Sequence, residues 1–214
     1  MTFLHHEQIY RGKETLEKIK AFPICICGIG AIGSNLVENL VRQGFQNITV
    51  VDKDRIEDRN INTQTWTRDD IGRLKTDALV HQVFRIMKIQ IHAAPKTLEI
   101  RNRARIINFE DLVIDAFDNS PSRQLLRDYC SETGTDCLHI GFSGGYGEII
   151  WNEDYRVPDD KGEDDCDYPL ARNLILLLVA VASEVIIKYV VSGQKTKENY
   201  TMTLSDFNIE KYSP

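Results

Sequence analysis

The chain has 214 residues, 42% of them apolar and 27% charged, and carries a net charge of −6. That length supports a core large enough for a single α/β domain, and an acidic balance with no basic stripe excludes a protein built to grip a phosphate backbone. Five cysteines (25, 27, 130, 137 and 166) form no CxxC pair, which excludes a zinc ribbon and a thioredoxin-type redox motif and points to a reducing, cytoplasmic setting.

The N-terminal stretch has no signal-peptide core. Residues 7–20 (EQIYRGKETLEKIK) read as a polar helix with a thin apolar face at Ile9, Leu16 and Ile19. An apolar strand follows and ends at Cys27, after which Gly28, Gly30 and Gly33 stand in G-I-G-A-I-G. A turn of that composition lets the backbone approach a phosphate at the N-terminus of the helix that begins near Ala31. The next strand, 48–51, ends at Asp52, where a carboxylate can take both hydroxyls of a ribose. Cys25 and Cys27 are read as small core residues or as part of the nucleotide pocket, and Cys130 and Cys137 are given no role.

The polar stretch after Asp54 (RIEDRNINTQTWTRDDIGRLK) is too long for an idle loop in a compact domain and is expected to form a lid over the nucleotide. Apolar residues at 78, 79, 80, 83, 84 and 87 make 75–87 a helix, with a strand expected at 89–93 and its exit at 96–99. Another strand runs to Asp115 from position 109, and D-A-F-D-N-S-P-S-R places Asp118 and Asn119 just beyond its carboxyl end, before a helix over 120–129. Ligands in an open parallel sheet sit outside the carboxyl ends of the strands, so Asp52 and Asp118 should face one crevice. Two carboxylates beside a triphosphate call for a counterion, which suggests Mg²⁺; the plainer reading of Asp118 is a helix N-cap.

A strand at 138–140 precedes a flexible glycine-rich turn and a returning strand at 148–151. Residues 152–168 form an acidic, mobile loop that contains Cys166 among Asp164, Asp165 and Asp167, carboxylates that raise a thiol's pKa and blunt it as a nucleophile. The strongest apolar run, 174–191, is interrupted by Ser183, Glu184 and Lys188 and is read as a buried helix rather than a membrane span. Because it is apolar on nearly every face, a dimer is expected. Alternating segments at 200–204 and 207–209 close the chain. The fold expected is α/β: a Rossmann-like, mostly parallel sheet extended by antiparallel strands in the C-terminal part. Residues 1–214 form one domain, with a helical segment over 1–21, the nucleotide-binding fold over 22–147, and the loop, buried helix and closing strands over 148–214.

Over almost its whole length the chain resembles the MoeB/ThiF family, relatives of the adenylation half of ubiquitin-activating enzymes. The resemblance rests on Gly28, Gly30, Ala31 and Gly33 of the glycine turn; on Asp52 and Asp54 in V-V-D-x-D; on Asn60, Asn62 and Gln64 in N-x-N-x-Q; on I-G-x-x-K ending at Lys75; and on Asp115, Asp118, Asn119 and Arg123 in D-A-F-D-N-x-x-x-R. It implies that Asp52 binds the ribose of ATP, that Asn60 and Lys75 contact the phosphates, and that Asp118 holds Mg²⁺ near the α-phosphate. The implied reaction is adenylation of the C-terminal carboxylate of a small ubiquitin-like or sulfur-carrier protein, by a homodimer or a pair of related chains, with Cys166 as a possible later acyl acceptor by its position before the long helix. Thr63 and Glu7 stand where the family has arginines, with Arg68 and Arg11 as the nearby cations. That departure keeps open a silent subunit that binds a carrier or a catalytic partner. A nicotinamide-dependent oxidoreductase would account for the glycines and Asp52, but it leaves Lys75, Asp118 and the Asn60–Gln64 stretch without a purpose.

Overall fold

The structure is a computed structural model that describes residues 3–107, 112–159 and 169–213. Its frame is one eight-stranded sheet in the order β3-β2-β1-β4-β5-β6-β7-β8. The strands are β1 (Ile24–Cys27), β2 (Ile48–Val51), β3 (His92–Ala94), β4 (Leu112–Asp115), β5 (Asp136–Ser143), β6 (Tyr146–Trp151), β7 (Asn199–Thr203) and β8 (Asn208–Tyr212). From β3 to β5 every pairing is parallel, and from β5 to β8 every pairing is antiparallel. The mixed sheet expected from the sequence is therefore the sheet observed. The helices are α1 (His5–Arg11), α2 (Lys13–Ala21), α3 (Ala31–Gln43), α4 (Lys75–Met87), α5 (Arg103–Ile106), α6 (Ser120–Thr133) and α7 (Arg172–Ser192).

The two faces of the sheet follow from strand periodicity. In β1, Ile24 and Ile26 point into the larger core with Leu36, Leu40, Leu178 and Ile186 of α3 and α7. Cys25 and Cys27 point the other way, into a cluster with Leu126, Tyr129 and Cys130 of α6 and Cys137 of β5. All four cysteines are thus core residues, and Cys130 and Cys137, left without a role by their place in the sequence, pack the second face. The contact with Cys25 and burial push the Cys27 thiol up, which makes it inert as a nucleophile.

Helix α7 is long and apolar enough to span a membrane, but 61% of its apolar stretch is buried inside the fold. Buried Ser183 donates to the Val179 carbonyl at 2.7 Å and accepts from Asn39 Nδ2 on α3 at 2.8 Å, so this serine in the apolar run marks its seam with α3.

Three local expectations are corrected. The helix expected over 7–20 is two helices broken at Gly12, whose φ of 85° lies in the left-handed region that favours glycine. The break lets Arg11 pair with both Glu7 of α1 and Glu184 of α7. The strand expected at 89–93 is shorter and later, at His92–Ala94; the chain then leaves the sheet as Lys96 N–H turns back to the Ala94 carbonyl at 2.8 Å around Pro95, which has no N–H to extend the ladder. The glycine-rich segment after residue 140 is a tight two-residue hairpin rather than a flexible turn, since Ser143 pairs with Tyr146 across Gly144 and Gly145.

Candidate active site

Strand order reverses at β1, with β2 on one side and β4 on the other, which is the place where an open parallel sheet offers a ligand crevice outside the carboxyl ends of its strands. The glycine turn occupies this point, and its three glycines have different reasons for being glycine. A Cβ on Gly28 (φ 92°) would lie 2.6 Å from the Ala116 carbonyl oxygen, and one on Gly33 would lie 1.9 Å from the Gly28 carbonyl oxygen. Those two are demanded by the protein's own packing. A Cβ on Gly30, the N-cap of α3, would meet nothing within 4 Å. Since no protein atom needs that space, it suits a ligand approaching the first turn of α3, which Ala31 begins.

Asp52 closes one side of the crevice. Its Oδ2 accepts the Ile29 N–H at 2.6 Å and its Oδ1 accepts the Asp54 N–H at 2.7 Å. Both oxygens keep a lone pair for a ligand hydroxyl. Burial pushes the Asp52 carboxyl up, against the pull of Lys75 and the two backbone donors. Lys75 sits at the start of α4 with its ammonium 3.2 Å from Asp54 Oδ2, and its own N–H is held by the Asp54 carbonyl at 2.9 Å. The structure therefore brings Gly28, Gly30, Ala31, Gly33, Asp52, Asp54 and Lys75 into one place.

The stretch expected to be a lid is itself a folded flap. Arg55 bridges to Leu74 at its base, two short 3₁₀ turns occupy Asp58–Asn60 and Arg68–Asp70, and Ile56, Thr63, Gln64 and Trp66 are buried. Apolar Ile56 and Trp66 anchor it in the main core, which a reading of its polar majority misses. Asn60 Oδ1 accepts the Glu57 N–H at 2.9 Å. Gln64 turns inward and accepts from Trp66 Nε1 at 2.6 Å, while Asn62 is exposed. Asn35 of α3 ties this flap to the glycine turn, because its Nδ2 donates to both the Ala31 carbonyl at 2.7 Å and the Thr63 carbonyl at 2.8 Å. A polar residue on the buried side of α3 was the sequence signal for that tie.

Across the crevice, Asp118 is exposed. Its neighbour Asn119 is the N-cap of α6, accepting the Ser122 N–H at 3.0 Å. The capping role thus belongs to Asn119, and Asp118 is left facing solvent with Asn119 Nδ2 3.2 Å from its Oδ1. Among the described residues no group of three or more His, Cys, Asp or Glu could hold a metal by itself.

Beneath Asp118 lies a buried polar network whose full extent the sequence did not reveal. Asp115, at the end of β4, has its Oδ2 2.7 Å from His139 Nδ1, and His139 Nε2 lies 2.7 Å from Asn152 Oδ1. Arg123 Nη1 donates to Tyr155 Oη at 3.0 Å, and its Nη2 donates to the Ile140 carbonyl at 3.0 Å. Tyr155 stacks on His139 at 3.8 Å between ring centroids. Burial works to raise the Asp115 carboxyl, but Arg123 and His139 outweigh it and hold it below the usual carboxylate range. Asp115 Oδ1 accepts the Phe117 N–H at 3.1 Å, so the network fixes the backbone that presents Asp118. Asp115 and Arg123 of the D-A-F-D-N-x-x-x-R motif and a histidine in an otherwise apolar strand were its visible traces. Of the two cations near the arginine-lacking positions, Arg11 is committed to Glu184 and Glu7, which hold its guanidinium above its usual pKa. Cys166 and its neighbouring aspartates lie outside the described residues.

Comparison with known proteins agrees with this fold. A model described as the ThiF family matches residues 5–207. A sulfur carrier protein adenylyltransferase of Thermus thermophilus is 34% identical over 122 residues, 55% of this chain and 44% of that protein. A tRNA threonylcarbamoyladenosine dehydratase of Haemophilus influenzae is 33% identical over 135 residues, 62% of this chain and 52% of that protein. The chain spans about half the length of these relatives. Among solved structures, E. coli MccB with MccA-N7isoASN has a TM-score of 0.85 at 15% identity, covering 100% of this chain and 72% of that one, a likeness of fold.

Proposed function

We propose, from the premise that this chain belongs to the ThiF family, that it uses ATP to adenylate the C-terminal carboxylate of a small ubiquitin-like or sulfur-carrier protein, or of a peptide, releasing pyrophosphate. The observation that carries this reading is the unfilled space over Gly30 at the N-terminus of α3, flanked by Asp52 and by Lys75. A carboxylate is a weak nucleophile repelled by a polyanion, so the task is to neutralise charge and align the reactants; no general base is required. Asp52 would orient the ribose, the N–H groups at the start of α3 would receive phosphate oxygens, and Lys75 would offset their charge, with Asn60 at the rim. We place Mg²⁺ on Asp118. One exposed carboxylate, with no preformed cluster among the described residues, fits a cation that is held largely by the nucleotide's own phosphates. When bound, the metal would supply Lewis-acid polarisation of the phosphate.

The partner is read as a protein or peptide rather than a nucleic acid, because a net charge of −6 opposes a tRNA acceptor of the kind named for the Haemophilus relative. A cytoplasmic, dimeric enzyme is part of the same proposal; the exposed Leu176 and half-buried Leu177 and Val181 of α7 would contribute to the interface. Cys166 remains a proposed acyl acceptor. A silent, binding-only subunit is the second reading, supported by Thr63 being buried and Glu7 being paired to Arg11, so that neither position supplies a cation.

Pyrophosphate exchange into ATP, with Mg²⁺ and a carrier ending in Gly-Gly, tests the proposal. Exchange that depends on the carrier supports adenylation. ATP binding without exchange on any carrier favours the silent subunit, and hydride transfer from a nicotinamide would overturn both.

A further inference from the structure

Charge at the proposed nucleotide crevice does not balance on the residues considered so far. Asp52, Asp54 and Asp118 bring three carboxylates to it, and Lys75 is already 3.2 Å from Asp54. A triphosphate adds still more negative charge. Three arginines of the neighbouring flap are engaged elsewhere, since Arg55 donates to the Gly72 carbonyl at 2.7 Å, Arg59 pairs with Glu57 at 2.7 Å, and Arg73 pairs with Asp70 at 2.9 Å, while the fourth, Arg68, is exposed on the second 3₁₀ turn.

Arg172 is placed differently. It is the first residue of α7, where a cation lies against the positive end of the helix dipole and lowers stability. Its side chain reaches away from its own helix, and Nη1 donates to the Asn62 carbonyl at 3.1 Å, across 110 residues of sequence. The next residue along, Thr63, is the one whose carbonyl Asn35 ties to Ala31 in the first turn of α3, at 2.8 and 2.7 Å. The guanidinium is therefore connected to the N-terminus of α3 through a single residue of backbone and one amide side chain.

Resting on the adenylation reading above, we infer that Arg172 is the second phosphate-binding cation of this site. The Asn62 carbonyl holds its guanidinium at the edge of the crevice, and the triphosphate draws it in. A single carbonyl takes one neutral-acceptor hydrogen bond, whereas phosphate oxygens offer a charged, bidentate partner, so the exchange is favourable. The unfavourable position at the helix start then has a functional return.

Titration calorimetry of the full chain with Mg-ATP and with adenosine tests this, using Arg172→Ala, Arg172→Gln and Arg172→Lys. Loss of one charged contact should weaken ATP binding about tenfold or more in the Ala and Gln variants, leave adenosine binding unchanged, and be partly restored by Lys. Glutamine keeps an N–H for the Asn62 carbonyl but no charge, so it separates phosphate binding from anchoring of the flap. The inference is overturned if Arg172→Ala binds ATP like wild type, if Gln restores binding, or if ATP and adenosine weaken in equal proportion. A wild type that binds neither ligand would instead sink the nucleotide-site reading, and this inference with it.

Discussion

Adjacent residues at the end of β4 divide two tasks that the sequence left joined. Asn119 caps α6, while Asp118 stands in solvent. Asn119→Ala should therefore lower stability by about 1 kcal/mol, and Asp118→Asn should leave the urea midpoint unchanged while abolishing pyrophosphate exchange. Equal loss of stability in both variants would contradict the assignment. Asp115 makes a different prediction. Its folded-state pKa is depressed because, against burial, Arg123 and His139 favour the ionised form. Its contribution is thus present above the unfolded value of about 3.9 and lost as pH falls through the folded value. Asp52, raised by burial, acts in the opposite sense, since its ionisation costs stability as pH rises. Asp115→Asn should cost about 3–5 kcal/mol near neutrality by leaving Arg123 without its counter-charge, and it should flatten the acid limb of a stability-versus-pH curve measured by urea unfolding.

At the scale of elements, the helices that pack on the sheet were legible because their apolar positions recur at helical spacing: α3 and α4 start at Ala31 and Lys75 as expected. What the pattern cannot carry is the partner of a polar residue inside an apolar run. Ser183 interrupts α7 in the sequence, and only the packed structure sets it opposite Asn39. Ser183→Ala should cost about 1–2 kcal/mol by leaving the Asn39 amide unpaired, and replacing both residues by apolar ones of similar size should recover most of that loss. Chemical denaturation of the single and double variants checks it; additive losses would show that the two side chains do not act as a pair.

For the whole molecule, sheet order places the glycine turn between Asp52 and Asp118 and leaves part of α7 uncovered. In the proposed dimer that uncovered strip is buried. Leu176 is 42% exposed, so Leu176→Asp should fold normally yet shift sedimentation equilibrium toward monomer at micromolar concentration. A wild type that is already monomeric there would refute the dimer.

The sequence by itself determined the mixed α/β sheet, the glycine turn and the acids at the strand ends, because each of these is written in neighbouring residues: strand alternation, a turn that excludes a side chain, a carboxylate directly after an apolar run. Tertiary structure alone decided that Gly30 is the glycine the protein does not need for its own packing, that Gln64 supports Trp66, and that Arg123, His139, Asn152 and Tyr155 form one buried network behind Asp118. It also decided that Arg172 meets Asn62. Those contacts join residues up to 110 positions apart, and their energies come from desolvated charge and hydrogen bonding between elements, which exist only once the sheet has brought the elements together.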